Sequence, residues 1–162
     1  MNTAAATFSA TQKPNAARGI LWGGLVAGVL DITAAFVVYG LMGVKPVLLL
    51  QGIASGLLGS RAFSGGLATA LLGLLCHFFI AFSAAAAYFA LSRRMPFLVQ
   101  HPVVSGVLYG PAVYFFMQYV VLPLSAIARG RFSFELMAIG IVIHVFCVGL
   151  PIAIAIRRFS LN

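Results

Sequence analysis

The stretch GGLVAGVLDITAAFVVYGL, residues 23–41, is apolar and rich in small side chains, and it carries one carboxylate, Asp31, near its middle. The apolar run covers residues 19–42, which exceeds the ~20 residues that a helix needs to cross a bilayer core. Trp22 and Tyr39 lie near its two ends, about 26 Å apart along a helix at 1.5 Å per residue. That separation is typical of aromatic anchors at the two membrane interfaces, so the stretch predicts a transmembrane helix with an acid inside it.

The composition of the whole chain is typical of a protein that lies in a lipid bilayer. Mean hydropathy is +1.09, with 62% hydrophobic and 7% charged residues, whereas a soluble domain carries about 25% charged residues. The net charge of +8 does not indicate a nucleic-acid partner, because the basic residues stand singly or in pairs between apolar runs. Such flanking charges are typical of membrane helices and favour contact with anionic lipid headgroups.

Three more apolar segments predict three more spans, over residues 64–92, 102–124 and 134–156. Pro111 predicts a kink inside the third of these. Ser133 can cap the fourth, and Glu135 in its first turn suits the positive end of the helix dipole. The segment 46–60 is apolar but too short to span, so it predicts a short interfacial or re-entrant helix.

These spans predict an all-α, four-helix transmembrane bundle with both termini on one side. Residues 1–18 form a polar tail that we expect to be disordered or to lie on the surface, and residues 19–158 form the single transmembrane domain. One side then carries six basic residues and the other four: Lys13, Arg18, Arg93, Arg94, Arg157 and Arg158 against Lys45, Arg61, Arg129 and Arg131. The positive-inside rule places the termini in the cytoplasm.

Glycines four residues apart let membrane helices approach closely. The sequence holds four such pairs: Gly19/Gly23, Gly24/Gly28, Gly52/Gly56 and Gly106/Gly110. They favour tight packing within one bundle, and a homo-oligomer face is the alternative.

Each predicted span brings a polar side chain to a similar depth: Asp31, His77, Tyr114 with Gln118, and His144. Each of these side chains shares its helix face with small residues, which pack inward against other helices. We therefore predict a buried polar cluster. An ionised aspartate at the bilayer centre costs about 2.5 to 3.5 kcal/mol on insertion scales, so Asp31 is expected to meet an imidazole or a proton.

Several roles for this cluster stay open. It can lock the helices in register, or it can respond to protons or ions. His77 and His144 could instead ligate a b-type haem, which would make the chain an electron carrier. A metal site that adds Cys76 and Cys147 is disfavoured, because Cys76 points about 100° away from His77 on a helix.

No enzyme activity is predicted, because the sequence holds no phosphate-binding glycine loop, no nucleophile elbow and no paired carboxylates. Cys76 and Cys147 lie inside apolar runs, so they predict no disulfide framework. The expected function is that of a small multi-pass plasma-membrane protein, accessory or structural, which acts alone, as a homo-oligomer or within a membrane complex. A small ion or solute transporter that works as an oligomer is a further alternative.

The second half of the chain resembles the YagU-like family of small bacterial inner-membrane proteins. The resemblance covers residues 70–158, and the motifs that carry it follow in chain order: HFFIAFSAAAAY from His77 to Tyr88, Pro96, GVLYG at 106–110, LPL at 122–124, then Glu135, His144 and Arg157-Arg158. The resemblance implies a protein of the bacterial plasma membrane and says little about its chemistry.

Overall fold

A computed structural model describes residues 15–127 and 133–160. The described residues form helices and connecting turns without a strand, which confirms the all-α class. Five helical segments are long and apolar enough to cross a membrane: Ala16–Leu41, Pro46–Ser64, Gly66–Ser92, Pro102–Leu124 and Phe134–Ser160. The predicted tail, residues 1–18, lies mostly outside the described residues.

The first span is the helix α1, Ala16–Leu41. It begins three residues earlier than predicted, because Asn15 caps it: the Asn15 Oδ1 atom accepts a hydrogen bond from the Arg18 backbone N–H at 3.2 Å. It ends at a turn in which Gly43 adopts a φ of 83°, a left-handed conformation that favours glycine.

The segment after α1 is longer than predicted. The helix α2, Pro46–Leu58, is followed by a 3₁₀ segment, Gly59–Ser64, and together they form one of the five segments of spanning length. Pro46 occupies the first turn of α2, where its missing backbone N–H is no loss. Gly59 has a φ of 58° and interrupts the helical path, so the regular helix is about 20 Å long at 1.5 Å per residue.

The second long span is α3, Gly66–Ser92. A short helix, α4, Phe97–Gln100, lies between this span and the next, within residues for which no helix was predicted. The third span starts as α5, Pro102–Phe116, and continues through a π-helical segment, Met117–Val121, into α6, Leu122–Leu124. The helix runs through Pro111, and the departure from α-helical geometry comes after it.

The last span consists of α7, Phe134–Ile143, a π-helical segment, His144–Gly149, and α8, Leu150–Ser160. The Ser133 side chain accepts a hydrogen bond from the Leu136 backbone N–H at 3.3 Å, which confirms the predicted cap. The insertion of π geometry at His144 was not predicted.

The long helices pack in antiparallel pairs through glycine. On α1, Gly19 faces Ile156 of α8, and a methyl group added at Gly19 would lie 3.2 Å from Ile156 Cδ1. Gly24 and Gly28 face α3, where Phe82 and Phe78 cover them. Because the residue number rises along α1 as it falls along its neighbours, α1 runs antiparallel to both α3 and α8.

The helix α5 approaches the last span even more closely. A methyl group added at Gly106 would lie 2.9 Å from Leu150 Cα, and one added at Gly110 would overlap the His144 carbonyl. These contacts also run antiparallel. The Gly52 position is different, since nothing lies within 4 Å of a methyl group added there.

Packing differs between the two halves of the bundle. The half that carries both described chain ends, called here the terminal half, contains the main apolar core: Ala27, Ala85, Tyr88, Val148, Ile152, Ala153 and Ile156, each at most 6% exposed. The backbone N–H of Asn15 donates to the Phe159 carbonyl at 3.0 Å and joins the two ends. In the opposite half, called the open half, neither α7 nor Met117–Leu124 contains a buried residue.

Candidate functional site

Asp31 lies on α1 at the border between the two halves. It is half-buried, and the closely packed Gly28 precedes it by one turn. Its carboxylate interacts electrostatically with the Cys147 thiol on the π segment of the last span. Within residues 15–127 and 133–160, no group hydrogen-bonds to the Asp31 side chain. The acid therefore lies in the bundle at mid-span, without a polar partner that neutralises it.

His77 reaches α1 from α3. Its Nε2 atom lies 2.9 Å from the Gly28 carbonyl oxygen, and because a carbonyl can only accept, we assign the proton to Nε2. The neutral ring then keeps its Nδ1 lone pair. His77 thus ties α3 to α1 one turn from Asp31, through the α1 backbone and not through the carboxylate.

His144 bonds within its own helix. Its Nδ1 atom lies 2.8 Å from the Gly140 carbonyl oxygen, so by the same reasoning Nδ1 donates and Nε2 carries the lone pair. The ring packs edge-on against Tyr114 of α5, with centroids 5.3 Å apart. Cys147, the electrostatic neighbour of Asp31, lies three residues further along the same segment.

Tyr114 connects this histidine to the surface of the open half. The Tyr114 side chain is 9% exposed, and Gly140 leaves room for its ring, since a methyl group added there would lie 2.5 Å from Tyr114 Cε2. Gln118 and Tyr39 lie close enough to the Tyr114 hydroxyl to interact with it. Gln118 itself is exposed.

The structure thus brings the predicted residues together in two groups. Tyr114, Gln118 and His144 form one group on α5 and the last span. Asp31 lies with Cys147 and His77 around the middle of α1. No hydrogen bond joins Asp31 to either histidine among the described residues, so the predicted contact between the acid and an imidazole stays a prediction.

Other polar contacts were missing from the prediction. Tyr88 is fully buried; its hydroxyl lies 2.7 Å from Ser105 Oγ and donates to the Leu98 carbonyl at 2.9 Å. The Tyr109 hydroxyl donates to the Ala84 carbonyl at 2.7 Å. The four-residue spacing of Ser105 and Tyr109 could have indicated this network, which links α3, α4 and α5 in the terminal half.

The histidines do not present an evident haem site. His77 uses its Nε2 atom to bond the Gly28 carbonyl, while the His144 ring lies against Tyr114. No group of three or more potential metal ligands converges in the described part of the chain. The haem hypothesis is favoured by no observation of geometry and stays a prediction.

An apolar groove separates α1 from α7 in the open half. It is a shallow, open groove with a volume of about 610 Å³. Its walls consist of aliphatic side chains and one threonine: Leu30, Thr33, Ala34, Val37, Val38, Ala138, Ile139, Val142 and Ile143. The Thr33 hydroxyl donates to the Val29 carbonyl at 2.7 Å, so this polar atom of the wall is already satisfied.

No family model matches the chain, and no curated protein or solved structure matches it. The class that the fold and the site define is that of an all-α, multi-pass membrane protein with polar groups at mid-span.

Proposed function

We propose that this protein is a small multi-pass protein of the plasma membrane whose helix packing responds to the binding of a proton at Asp31. Its role is accessory or structural, and we propose no catalysis for it. The single observation that carries the proposal is the position of Asp31: half-buried at mid-span, near Cys147, with no hydrogen-bond partner among the described residues.

The physical reason is the cost of charge in hydrocarbon. A charged carboxylate in the middle of a membrane helix is expensive unless a cation or several hydrogen-bond donors meet it. The Cys147 thiol interacts electrostatically with Asp31, and His77 holds the preceding turn of α1; neither supplies a fixed positive charge. A proton removes the charge at the site, so the protonated and ionised forms differ in the helix arrangement that they favour.

We further propose that four of the five apolar segments cross the membrane and that Pro46–Ser64 does not. The support is the direction of the packed helices: Gly24 and Gly28 of α1 face Phe82 and Phe78 of α3 in antiparallel order. If the segment between them crossed, α1 and α3 would run parallel. The interruption at Gly59 and the ~20 Å length of α2, against a bilayer core of ~30 Å, favour a half-inserted helix.

Four crossings place both termini on the same side, and the basic residues favour the cytoplasm for that side. The termini side carries Arg18, Arg93, Arg94, Arg157 and Arg158 among the described residues, all exposed. Such positions favour contact with anionic headgroups of the cytoplasmic leaflet. The bacterial inner membrane as the location rests on the resemblance to the YagU-like family.

The test of the proton response compares melting temperatures of the purified protein in lipid nanodiscs at mildly acidic and mildly alkaline pH. We expect the wild type to melt at a lower temperature at alkaline pH, because ionised Asp31 then lacks a partner in the folded state. Each kcal/mol of this effect corresponds to about 2 to 4 °C for a chain of this size. Asp31→Asn, which keeps the shape and cannot ionise, is expected to melt at the same temperature in both buffers.

Glu135→Gln is the matched control, since Asp and Glu number two in the whole chain and Glu135 is exposed at the start of α7. It is expected to keep the wild-type response. A pH response that survives in Asp31→Asn would contradict the proposed function.

A further inference from the structure

We propose that Asp31 and the apolar groove between α1 and α7 together form a binding site for a lipophilic cation, a small molecule with an apolar body and a single positive charge. This inference rests on the proposed function, because it names a ligand for the same carboxylate. It follows from the place where the groove ends and from the charge that lies there.

The groove ends at mid-span beside two polar residues. Its innermost wall residues are Leu30 on α1 and Ile143 on α7. Leu30 directly precedes Asp31, and Ile143 directly precedes His144. An apolar wall on each helix thus stops next to a carboxylate on one side and an imidazole on the other.

The packing of α1 against the last span brings these two ends to a similar depth. The two helices run antiparallel, and Gly23 of α1 meets the backbone of Ile152. Asp31 follows Gly23 by eight residues, and His144 precedes Ile152 by eight residues. The carboxylate and the imidazole therefore mark one level of the bundle, at which the groove stops.

Asp31 also shares its helix face with part of the groove wall. Ala34 and Val38 line the groove, and they follow Asp31 by three and seven residues. This spacing places side chains on one stripe of an α-helix. A positive charge held at the inner end of the groove therefore lies next to the carboxylate.

The groove itself suits the apolar body of such a ligand. Its walls are aliphatic apart from Thr33, whose hydroxyl proton is used in the bond to the Val29 carbonyl. Its volume of about 610 Å³ is in the range of small-molecule sites, about 300 to 1,000 Å³. Both walls belong to segments apolar enough to cross a membrane, so a ligand reaches the groove through the lipid.

Charge complementarity favours a cation over the other occupants of an apolar groove, an acyl chain or a helix of a second copy. Asp31 has no hydrogen-bond partner within residues 15–127 and 133–160. Hydrocarbon leaves the ionised carboxylate as costly as before, whereas a cation neutralises it. Because the proton neutralises it too, the cation and the proton exclude each other at this site.

The other titratable groups around the carboxylate come from the elements packed near α1. The helix α3 contributes His77, bonded to the α1 backbone, and the π segment contributes Cys147 and His144. Tyr114 of α5 packs against His144, α2 carries no titratable residue, and α8 carries its two arginines near its far end. Glu135 is exposed at the start of α7. Since both histidines titrate near neutral pH, the Asp31→Asn variant is needed to separate their effect from that of the carboxylate.

The experiment measures binding of radiolabelled tetraphenylphosphonium, a lipophilic cation whose charge does not depend on pH, to the protein in lipid nanodiscs. Empty nanodiscs give the amount that dissolves in the lipid. We expect saturable binding that is several-fold weaker in mildly acidic than in mildly alkaline buffer. Asp31→Asn is expected to lose this binding, and Glu135→Gln is expected to keep it.

Two matched substitutions test the groove. Ala138→Leu enlarges an exposed side chain of the groove wall, and Ala87→Leu makes the same change on the exposed face of α3, where no residue lines the groove. We expect Ala138→Leu to weaken binding several-fold and Ala87→Leu to leave it unchanged. Both variants are expected to keep the pH-dependent melting of the wild type.

Saturable binding that persists in Asp31→Asn, or that Ala138→Leu and Ala87→Leu change equally, would overturn this inference. Binding no greater than that of empty nanodiscs would overturn it as well, and is the result expected where an acyl chain or a second copy fills the groove. The pH dependence of the melting temperature tests the proposed function separately, so the failure of one is distinguishable from the failure of the other.

Discussion

At the scale of single residues, the face of α1 that carries Asp31 is the face that packs against other helices. Asp31 shares its helix face with Gly24 and Gly28, and the structure shows both glycines covered by α3. The sequence could predict this face, because small residues mark the packed side of a membrane helix. Sequence alone could not predict which groups meet the acid, because that depends on the rotation of each helix about its axis.

The two histidines illustrate the same limit. Both were predicted to point into the bundle, where one of them or a proton would meet Asp31; in the structure His77 donates to the Gly28 carbonyl and His144 to the Gly140 carbonyl. Backbone carbonyls lie along every helix and leave no pattern in the sequence. A histidine that bonds such a carbonyl is therefore indistinguishable, by its spacing, from one that meets a carboxylate.

At the scale of elements, glycine determines how closely α5 approaches the last span. Three of the four predicted glycine pairs contribute to contacts within the chain, and the fourth, Gly52/Gly56, has open space at Gly52. The sequence predicted where helices can approach but not which pairs are used. The π segments, Met117–Val121 and His144–Gly149, were also beyond prediction, since an extra residue in a turn leaves the hydrophobic pattern nearly unchanged.

Two matched substitutions test the role of these contacts. In Gly110→Ala the new methyl group would overlap the His144 carbonyl, so the helices must separate, and we expect a loss of about 1 to 3 kcal/mol of folding free energy. Gly52→Ala adds the same methyl group in open space and is expected to be neutral or stabilising by about 0.5 to 1 kcal/mol. Reversible unfolding in mixed micelles measures both. Equal effects of the two changes would contradict the packing described for α5.

At the scale of the whole molecule, the main apolar core lies at the end that holds the termini, while α7 and Met117–Leu124 at the other end contain no buried residue. The ends of the four long spans agree with prediction to within four residues, because length and hydropathy determine them. The α2 segment was harder to place: its first residue was predicted, but the 3₁₀ extension to Ser64 gives it a spanning length. The directions of the helices before and after α2 bear on whether it crosses the membrane, since α1 and α3 run antiparallel.

Single cysteines test whether α2 crosses the membrane, in a background where Cys76 and Cys147 are replaced by serine. Lys45→Cys precedes α2, Arg61→Cys follows it, and Arg93→Cys follows α3. With four crossings and the termini in the cytoplasm, a membrane-impermeant maleimide labels the first two on intact cells and the third only in inverted vesicles. Labelling of Arg61→Cys and Lys45→Cys from opposite sides would instead establish five crossings.

The most direct measurement of the central claim is infrared difference spectroscopy of the protein in lipid, between mildly acidic and mildly alkaline buffer. We predict that the wild type and Glu135→Gln share a C=O stretching band of a protonated carboxyl group in an apolar environment, and that this band disappears at alkaline pH. The same band is predicted to be absent from Asp31→Asn. A spectrum of Asp31→Asn that matches the wild type would contradict the account, because the carboxyl that takes up the proton would then not be Asp31.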